Sequence, residues 1–338
     1  MNALLYEGNK KFRLVAGTQE PPGKDMVQVK VAFCGICGTD IHIYHGKMDH
    51  RIKMPQVIGH EAAGEVVATG EGVTQVRVGD RVAVRPLQPG APDPSDNDCA
   101  HIGRHMKFIG IDSPGGMQTY WNVPAYTLHK LPPHLPLQLG AMIEPLAVAC
   151  HDVRLAGLLP GQNAVVIGGG PIGMLIALVA RNRGAAVIVS EPNAQRRALC
   201  SSLALPVVDP VKEKLVERVA ALTGEAMADV VFEVSGTQAG VSEMTGLLRA
   251  RGRIVMVAIH SEPRRVDLFR FFWREISMTG ARVYEPEDFE AAIEYASSGV
   301  LPLERLITQV SPLSAAQQAF ESIEKDPSVM KWLLDCSR

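Results

Sequence analysis

The sequence predicts an α/β protein of two domains, one β-rich and one built on a doubly wound parallel sheet. Three observations carry this expectation. The chain has 338 residues, which favours two domains over one. Its first part alternates apolar and polar residues over short runs punctuated by glycine, as half-buried strands do. From residue 163 onward, short apolar strands alternate with helical stretches, which implies a parallel sheet covered by helices on both faces.

In the first domain, Met26 to Ala32, Ala63 to Ala68 and Asp80 to Val84 are predicted strands, and Gly70, Gly72 and Gly79 supply turns between the last two. No strong helical period precedes residue 135, so residues 1–144 are assigned to the β-rich domain. In the second domain, residues 145–290, the predicted strands are Asn163 to Ile167, Ala186 to Ser190, Val207-Val208, Asp229 to Phe232 and Arg253 to Val257. The predicted helices are Pro171 to Arg183, Ala194 to Ala204 and Val211 to Leu222. Pro171 suits a helix start, where the N–H it lacks would have no intrahelical partner. Helices at Asp288 to Ser298 and Ala315 to Glu324, and a strand at Lys331 to Leu334, close the chain, with residues 291–338 assigned to the first domain. Pro86 to Asp98, rich in Pro, Gly and Asp, reads as a surface loop.

Composition narrows the function. The formal charge is −2, and no stretch concentrates Lys and Arg beyond Arg264-Arg265, so no nucleic-acid footprint is present. No apolar run is long enough to span a membrane, and no basic region followed by an apolar core opens the chain. The six cysteines, Cys34, Cys37, Cys99, Cys150, Cys200 and Cys336, are too few and too scattered for a disulfide scaffold. A cytoplasmic protein with no nucleic-acid or membrane partner is expected.

Val165-Val166-Ile167-Gly168-Gly169-Gly170-Pro171-Ile172-Gly173 follows a predicted strand and opens a predicted helix. Gly168 permits a tight turn, Gly170 lets the backbone approach a pyrophosphate, and Gly173 lets helix and strand pack closely. The phosphates belong at the helix N-terminus, which Pro171 and Ile172 open. Glu191 ends the next strand, about 20 residues on, where a carboxylate accepts hydrogen bonds from a ribose diol and repels a 2′-phosphate. This points to NAD. Arg196 and Arg197 lie nearby and leave the alternative of an arginine that receives a phosphate.

Candidate metal ligands fall in three segments: Cys34-Gly35-Ile36-Cys37 through His42, Gly59-His60-Glu61, and Ile143-Glu144-Pro145. A thiolate, an imidazole and carboxylates suit a catalytic Zn(II) that keeps one position open. The C-x-x-C of Cys34 and Cys37 lacks the βαβ context of a redox pair, and Cys34 is expected in the core.

With these residues the chain resembles the zinc-dependent medium-chain alcohol dehydrogenases, especially their sorbitol, threonine and sugar-acid branch. Cys37-Gly38-Thr39-Asp40, Gly59-His60-Glu61, Val78-Gly79-Asp80-Arg81-Val82, Glu144-Pro145-Leu146-Ala147 and the glycine turn carry the likeness along nearly the whole length. The resemblance implies a GroES-like catalytic domain and a Rossmann domain. It implies Cys37 and His60 as zinc ligands, with Glu61 or Glu144 as the carboxylate ligand. The implied reaction moves a hydride between NAD and a secondary alcohol of a polyol, sugar acid or amino alcohol. Thr39 is implied near the metal. His42 either continues a proton relay from it or is a structural hydrogen-bonder. Tyr44 is expected to line the substrate pocket. Arg282 either holds a substrate hydroxyl or carboxylate, or makes an ordinary ion pair.

Many relatives carry a second, structural zinc on four closely spaced cysteines. Here the corresponding stretch, Pro89 to Arg104, has only Cys99. His101, His105, Asp93, Asp96 and Asp98 lie near it in a spacing that matches no structural zinc site, so one zinc per subunit is expected. Relatives are commonly homodimers or homotetramers built through the cofactor domain, and Ile276 to Thr279 is a candidate edge for pairing. Two other classes remain: a zinc-free quinone or enone reductase of the same fold, and a non-catalytic cofactor-binding relative. Neither has a use for Cys37, His60 and Glu144 together.

Overall fold

In the computed structural model, which describes Met1–Arg338, the chain separates into two units: Met1–Glu144 with Glu285–Arg338, and Pro145–Tyr284. The chain rejoins the first unit at the helix Pro286–Ser298, so a boundary at residue 291 would cut that helix.

The first unit is organised around strand Met26–Ile36. Its sheet runs Leu128–Lys130, Arg81–Val84, Glu61–Thr69, Met26–Ile36, Lys331–Asp335, Ile307–Pro312, and Tyr120–Pro124 also pairs with Met26–Ile36. The inward side chains Val27, Val29 and Val31 are fully buried, and Val66, Val82 and Trp121 are buried with them. The strand extends four residues past the predicted Ala32. Its last residues are held from both sides, Gly35 by Glu61 and Ile36 by Trp332.

Beyond that strand stands a helix the sequence pattern did not announce, Gly38–Tyr44. Seven residues are too few to display a helical period. What starts it is local: Asp40 Oδ2 accepts a hydrogen bond from the Cys37 N–H at 2.9 Å, a carboxylate of the first turn reaching back to the residue before the helix.

In the second unit six strands lie in the order Val207–Val208, Ala186–Ser190, Asn163–Ile167, Ala228–Glu233, Leu248–Met256, Ser277–Gly280, and every neighbouring pair is parallel. Strand interiors such as Val165, Val189, Val231 and Ile254 are buried, as a sheet covered on both faces requires. Helix Pro171–Asn182 buries every residue from Gly173 to Ala180. The helix after Val207–Val208 starts at Leu215, later than the predicted Val211. Helices Gln238–Met244 and Leu268–Arg274 were not predicted. Strand order reverses between Asn163–Ile167 and Ala228–Glu233, so a ligand crevice opens there at the carboxyl ends of the strands.

Candidate active site

Sheet register brings the metal-site residues together. Glu61 begins its strand directly opposite Gly35. A Cβ on Gly35 would lie 2.1 Å from Glu61 Oε2, so only glycine leaves that carboxylate its place. Cys37 ends the same turn of chain, one residue past Ile36 and at the start of helix Gly38–Tyr44. One ligand atom each from Cys37, His60 and Glu61 lies within 4.8 Å of the other two. Zinc bonds of about 2.0–2.3 Å let three such atoms share one ion.

The chemistry of the pocket fits a cation. His60 Nδ1 stands 3.6 Å from Asp40 Oδ1, both atoms are buried, and neither has a hydrogen-bond partner. A ligating imidazole ordinarily presents its second nitrogen to a carboxylate in this way. Burial alone would lower the pKa of His60, but Asp40, followed by Cys37, raises it well above its usual value. The pocket thus carries an excess of negative charge.

Lys331 is the one ammonium inside it. The residue is 2% exposed, and its Nζ donates to both Glu61 oxygens at 2.7 Å and to the Ile36 carbonyl at 3.4 Å. Burial would lower its pKa, but Glu61, Cys37 and Glu144 together hold it above the usual lysine value. Glu144, in the first turn of helix Ile143–Leu155, is buried and close enough to act on Lys331, yet stands outside the convergent set of three.

Thr39 and His42 lie three residues apart on helix Gly38–Tyr44 and so on one face of it. Partial burial, with Lys47 and His45 adding to it, lowers the pKa of His42. The expectation for Tyr44 is corrected. Its ring is 2% exposed, stacks on Phe12 and packs against Phe320, and its hydroxyl accepts from Gln317 Nε2 at 3.1 Å. It serves an aromatic core and does not line a pocket. Cys34 is fully buried.

In the lobe that carries only Cys99, carboxylates close turns. Asp93 Oδ1 accepts from the Ser95 N–H at 2.9 Å, Asp96 Oδ1 accepts from the Arg104 N–H at 2.8 Å, and His105 Nε2 lies 3.7 Å from Asp93 Oδ2.

In the second unit, Gly168 has φ +106°, and a Cβ on Gly173 would fall 1.8 Å from the Gly168 carbonyl oxygen. Turn and helix are therefore in contact through glycine alone. Gly170 precedes the helix and Pro171 begins it, followed by Ile172. Glu191 Oε2 accepts from the Gly169 N–H and Oε1 from the Asn193 N–H, each at 2.7 Å. The Arg196 guanidinium reaches within 3.3 Å of where a Gly170 Cβ would stand, while Arg197 pairs with Asp209 at 2.8 Å. Arg282 is exposed just past strand Ser277–Gly280.

Several residues escaped the sequence. Asp40 belongs to the Cys37-Gly38-Thr39-Asp40 run, and its signal is an acid three residues past Cys37. Lys331 had no local signal. Across the crevice from Gly168, Glu233 is fully buried, accepts from the Ser235 N–H at 3.1 Å and faces His260 Nε2 at 3.2 Å. A lone acidic residue at the end of an apolar strand was its only mark.

Residues 23–133 match the alcohol dehydrogenase GroES-like domain, and residues 171–298 match the zinc-binding dehydrogenase domain. The chain is 48% identical over 338 residues to a 2-dehydro-3-deoxy-L-galactonate 5-dehydrogenase of Pseudoalteromonas atlantica, covering 100% of this chain and 99% of that one. It is 30% identical to the L-galactonate-5-dehydrogenase of Escherichia coli, covering 95% and 94%. Among solved structures, a putative zinc-binding dehydrogenase from Sinorhizobium meliloti bound to NADP superposes with a TM-score of 0.92 at 29% identity, covering 99% and 98%.

Asp40→Asn should weaken zinc binding by about 10- to 100-fold, the usual effect of losing a carboxylate behind a ligating histidine. Competition with a chromogenic chelator measures this directly, and an unchanged zinc affinity would remove Asp40 from the site.

Proposed function

Because this chain belongs to the zinc-binding alcohol dehydrogenases with a GroES-like domain, we propose that it interconverts a secondary alcohol and a ketone on an open-chain sugar acid, with NAD as the hydride partner and one zinc ion per chain. The observation that carries this reading is the convergence of Cys37, His60 and Glu61 in a chain 48% identical, along its whole length, to a sugar-acid dehydrogenase. A zinc-free reductase or a non-catalytic relative has no need of that convergence.

When bound, zinc supplies a Lewis acid for the substrate oxygen and the nicotinamide supplies the hydride carrier. The chain's own residues do the rest. Cys37, His60 and Glu61 would hold the ion, Asp40 would orient His60, and Glu144 would stand as a reserve carboxylate. Thr39 passes the hydroxyl proton outward and His42, three residues on along the same helix, receives it. The N-terminus of helix Pro171–Asn182 receives the pyrophosphate. Glu191 receives the ribose diol, which supports NAD although the Sinorhizobium relative holds NADP. The exposed Arg282 anchors the substrate carboxylate.

No helix is long and apolar enough to cross a membrane, and all six cysteines are free, which suits a reducing cytoplasm. We assign subunit pairing to the edge strand Ser277–Gly280, exposed throughout, and to the neighbouring helix Leu268–Arg274, which presents Phe269, Phe272 and Trp273 to solvent. An uncovered sheet edge beside an apolar patch is a pairing surface.

Four outcomes are expected. Given 2-dehydro-3-deoxy-aldonates, aldonates, polyols and L-threonine in turn, the enzyme should reduce NAD fastest with a sugar acid and slowly with NADP. Dialysis against a chelator should abolish this, and one equivalent of zinc should restore it; activity surviving complete metal removal would sink the reading. Thr39→Val should lower kcat by about 10²-fold or more with zinc content unchanged, whereas normal turnover would exclude Thr39 from the proton path. Phe272→Glu should shift the sedimenting species to monomer, and an unchanged oligomer would place the interface elsewhere.

A further inference from the structure

We infer that Lys331 is a positioning residue that confines Glu61 to one-oxygen coordination and so keeps the metal's fourth position open to substrate. The inference rests on the zinc reading above. Glu61 offers two oxygens, and both lie 2.7 Å from Lys331 Nζ. The same carboxylate also supplies the oxygen that converges with Cys37 and His60. It therefore stands between two cation positions, and Lys331 competes with the metal for its lone pairs.

Lys331 is well placed to enforce that division. Its ammonium is pinned by the Ile36 carbonyl as well as by Glu61, and its backbone is fixed by the sheet, in which the next residue, Trp332, pairs with Ile36. Neither side chain has solvent as an alternative partner, for Glu61 is fully buried and Lys331 almost so. If Lys331 were absent, both Glu61 oxygens would lose the ammonium that competes with the ion for them. A catalytic site with three protein ligands keeps a place for substrate, and a second Glu61 oxygen would crowd that place as a fifth ligand beside water or substrate. Charge points the same way. Cys37 as thiolate and Glu61 as carboxylate would together offset a divalent ion, and Lys331, held on Glu61, draws off part of that carboxylate's charge.

The test uses the full-length protein loaded with Co(II), whose visible bands are intense in four-coordinate sites and weaken when a fifth ligand enters. Lys331→Met should weaken those bands several-fold, lose the spectral response to added imidazole, and lower kcat at least about tenfold with little change in KM. Lys331→Arg, which still donates to one Glu61 oxygen, should return the wild-type spectrum. A Lys331→Met protein with wild-type bands and wild-type imidazole response overturns the inference. X-ray absorption on zinc-loaded wild-type protein decides the matter even if that variant fails to fold: a shell that exchanges one light atom for added imidazole and lacks the short metal-to-carboxylate-carbon distance supports it, and the short carbon distance of a two-oxygen Glu61 overturns it. Failure of the underlying zinc reading looks different, because wild-type protein would then take up no stoichiometric metal.

Discussion

Glu61 and Lys331 are separated by 270 residues of sequence, and each buried charge is tolerable only beside the other. An unpaired carboxylate or ammonium in such a place costs several kcal/mol, and removing one partner of a buried pair typically costs about 3–5 kcal/mol. The pair therefore constrains the sheet. Strands Glu61–Thr69 and Lys331–Asp335 must flank Met26–Ile36 in the register that sets Glu61 opposite Gly35 and Trp332 opposite Ile36. A slip of one residue would turn Lys331 to the opposite face. The same register sets Cys37 at the mouth of the pocket, so the metal site and the closure of the sheet by the last strand are one construction.

Counting charge in that pocket explains why a cation belongs there. Asp40 and Glu61 are both buried, and the Cys37 thiol converges with Glu61 and His60. Against these stands a single ammonium, which is occupied by Glu61. The protein's own device for balancing the remainder is His60, and its raised pKa shows the imidazole being drawn toward the charged form. A divalent ion relieves the imbalance, leaves His60 neutral, and gives Asp40 a ring N–H to accept. A relative without zinc would have to keep this cluster at a cost in stability with nothing in return.

What could be read from sequence was whatever is local. The six residues from Gly168 to Gly173 act within one turn, and Cys37, His60 and Glu61 each sit in short motifs. Strand Asn163–Ile167 was legible to the residue because a strand buried on both faces is apolar throughout and ends at the glycine turn. Lys331 was invisible because its meaning comes from a pairing made at the far end of the chain. Tyr44 misled for the converse reason: closeness in sequence to the metal loop says nothing about which way a helix turns its ring, and this one turns it to Phe12 and Phe320. Helix Gly38–Tyr44 is specified by one carboxylate-to-backbone bond, which no periodicity reports.

The proposed preference for NAD depends on rigidity as much as on charge. A glutamate on a free tether could swing aside for a 2′-phosphate. Glu191 has no such freedom, since one oxygen is held by the Gly169 N–H and the other by the Asn193 N–H, and the residue is 3% exposed. Each carboxylate oxygen retains a lone pair for a ribose hydroxyl, so the diol is accommodated without disturbing either bond. Of the two arginines that raised the opposite possibility, Arg197 is committed to Asp209 and to the carbonyl of Glu191. Arg196 is placed over Gly170, at the pyrophosphate turn. A phosphate on the 2′ oxygen would meet a fixed anion. Selectivity of this kind needs no residue that reaches out to reject the wrong cofactor, only a carboxylate that cannot retreat.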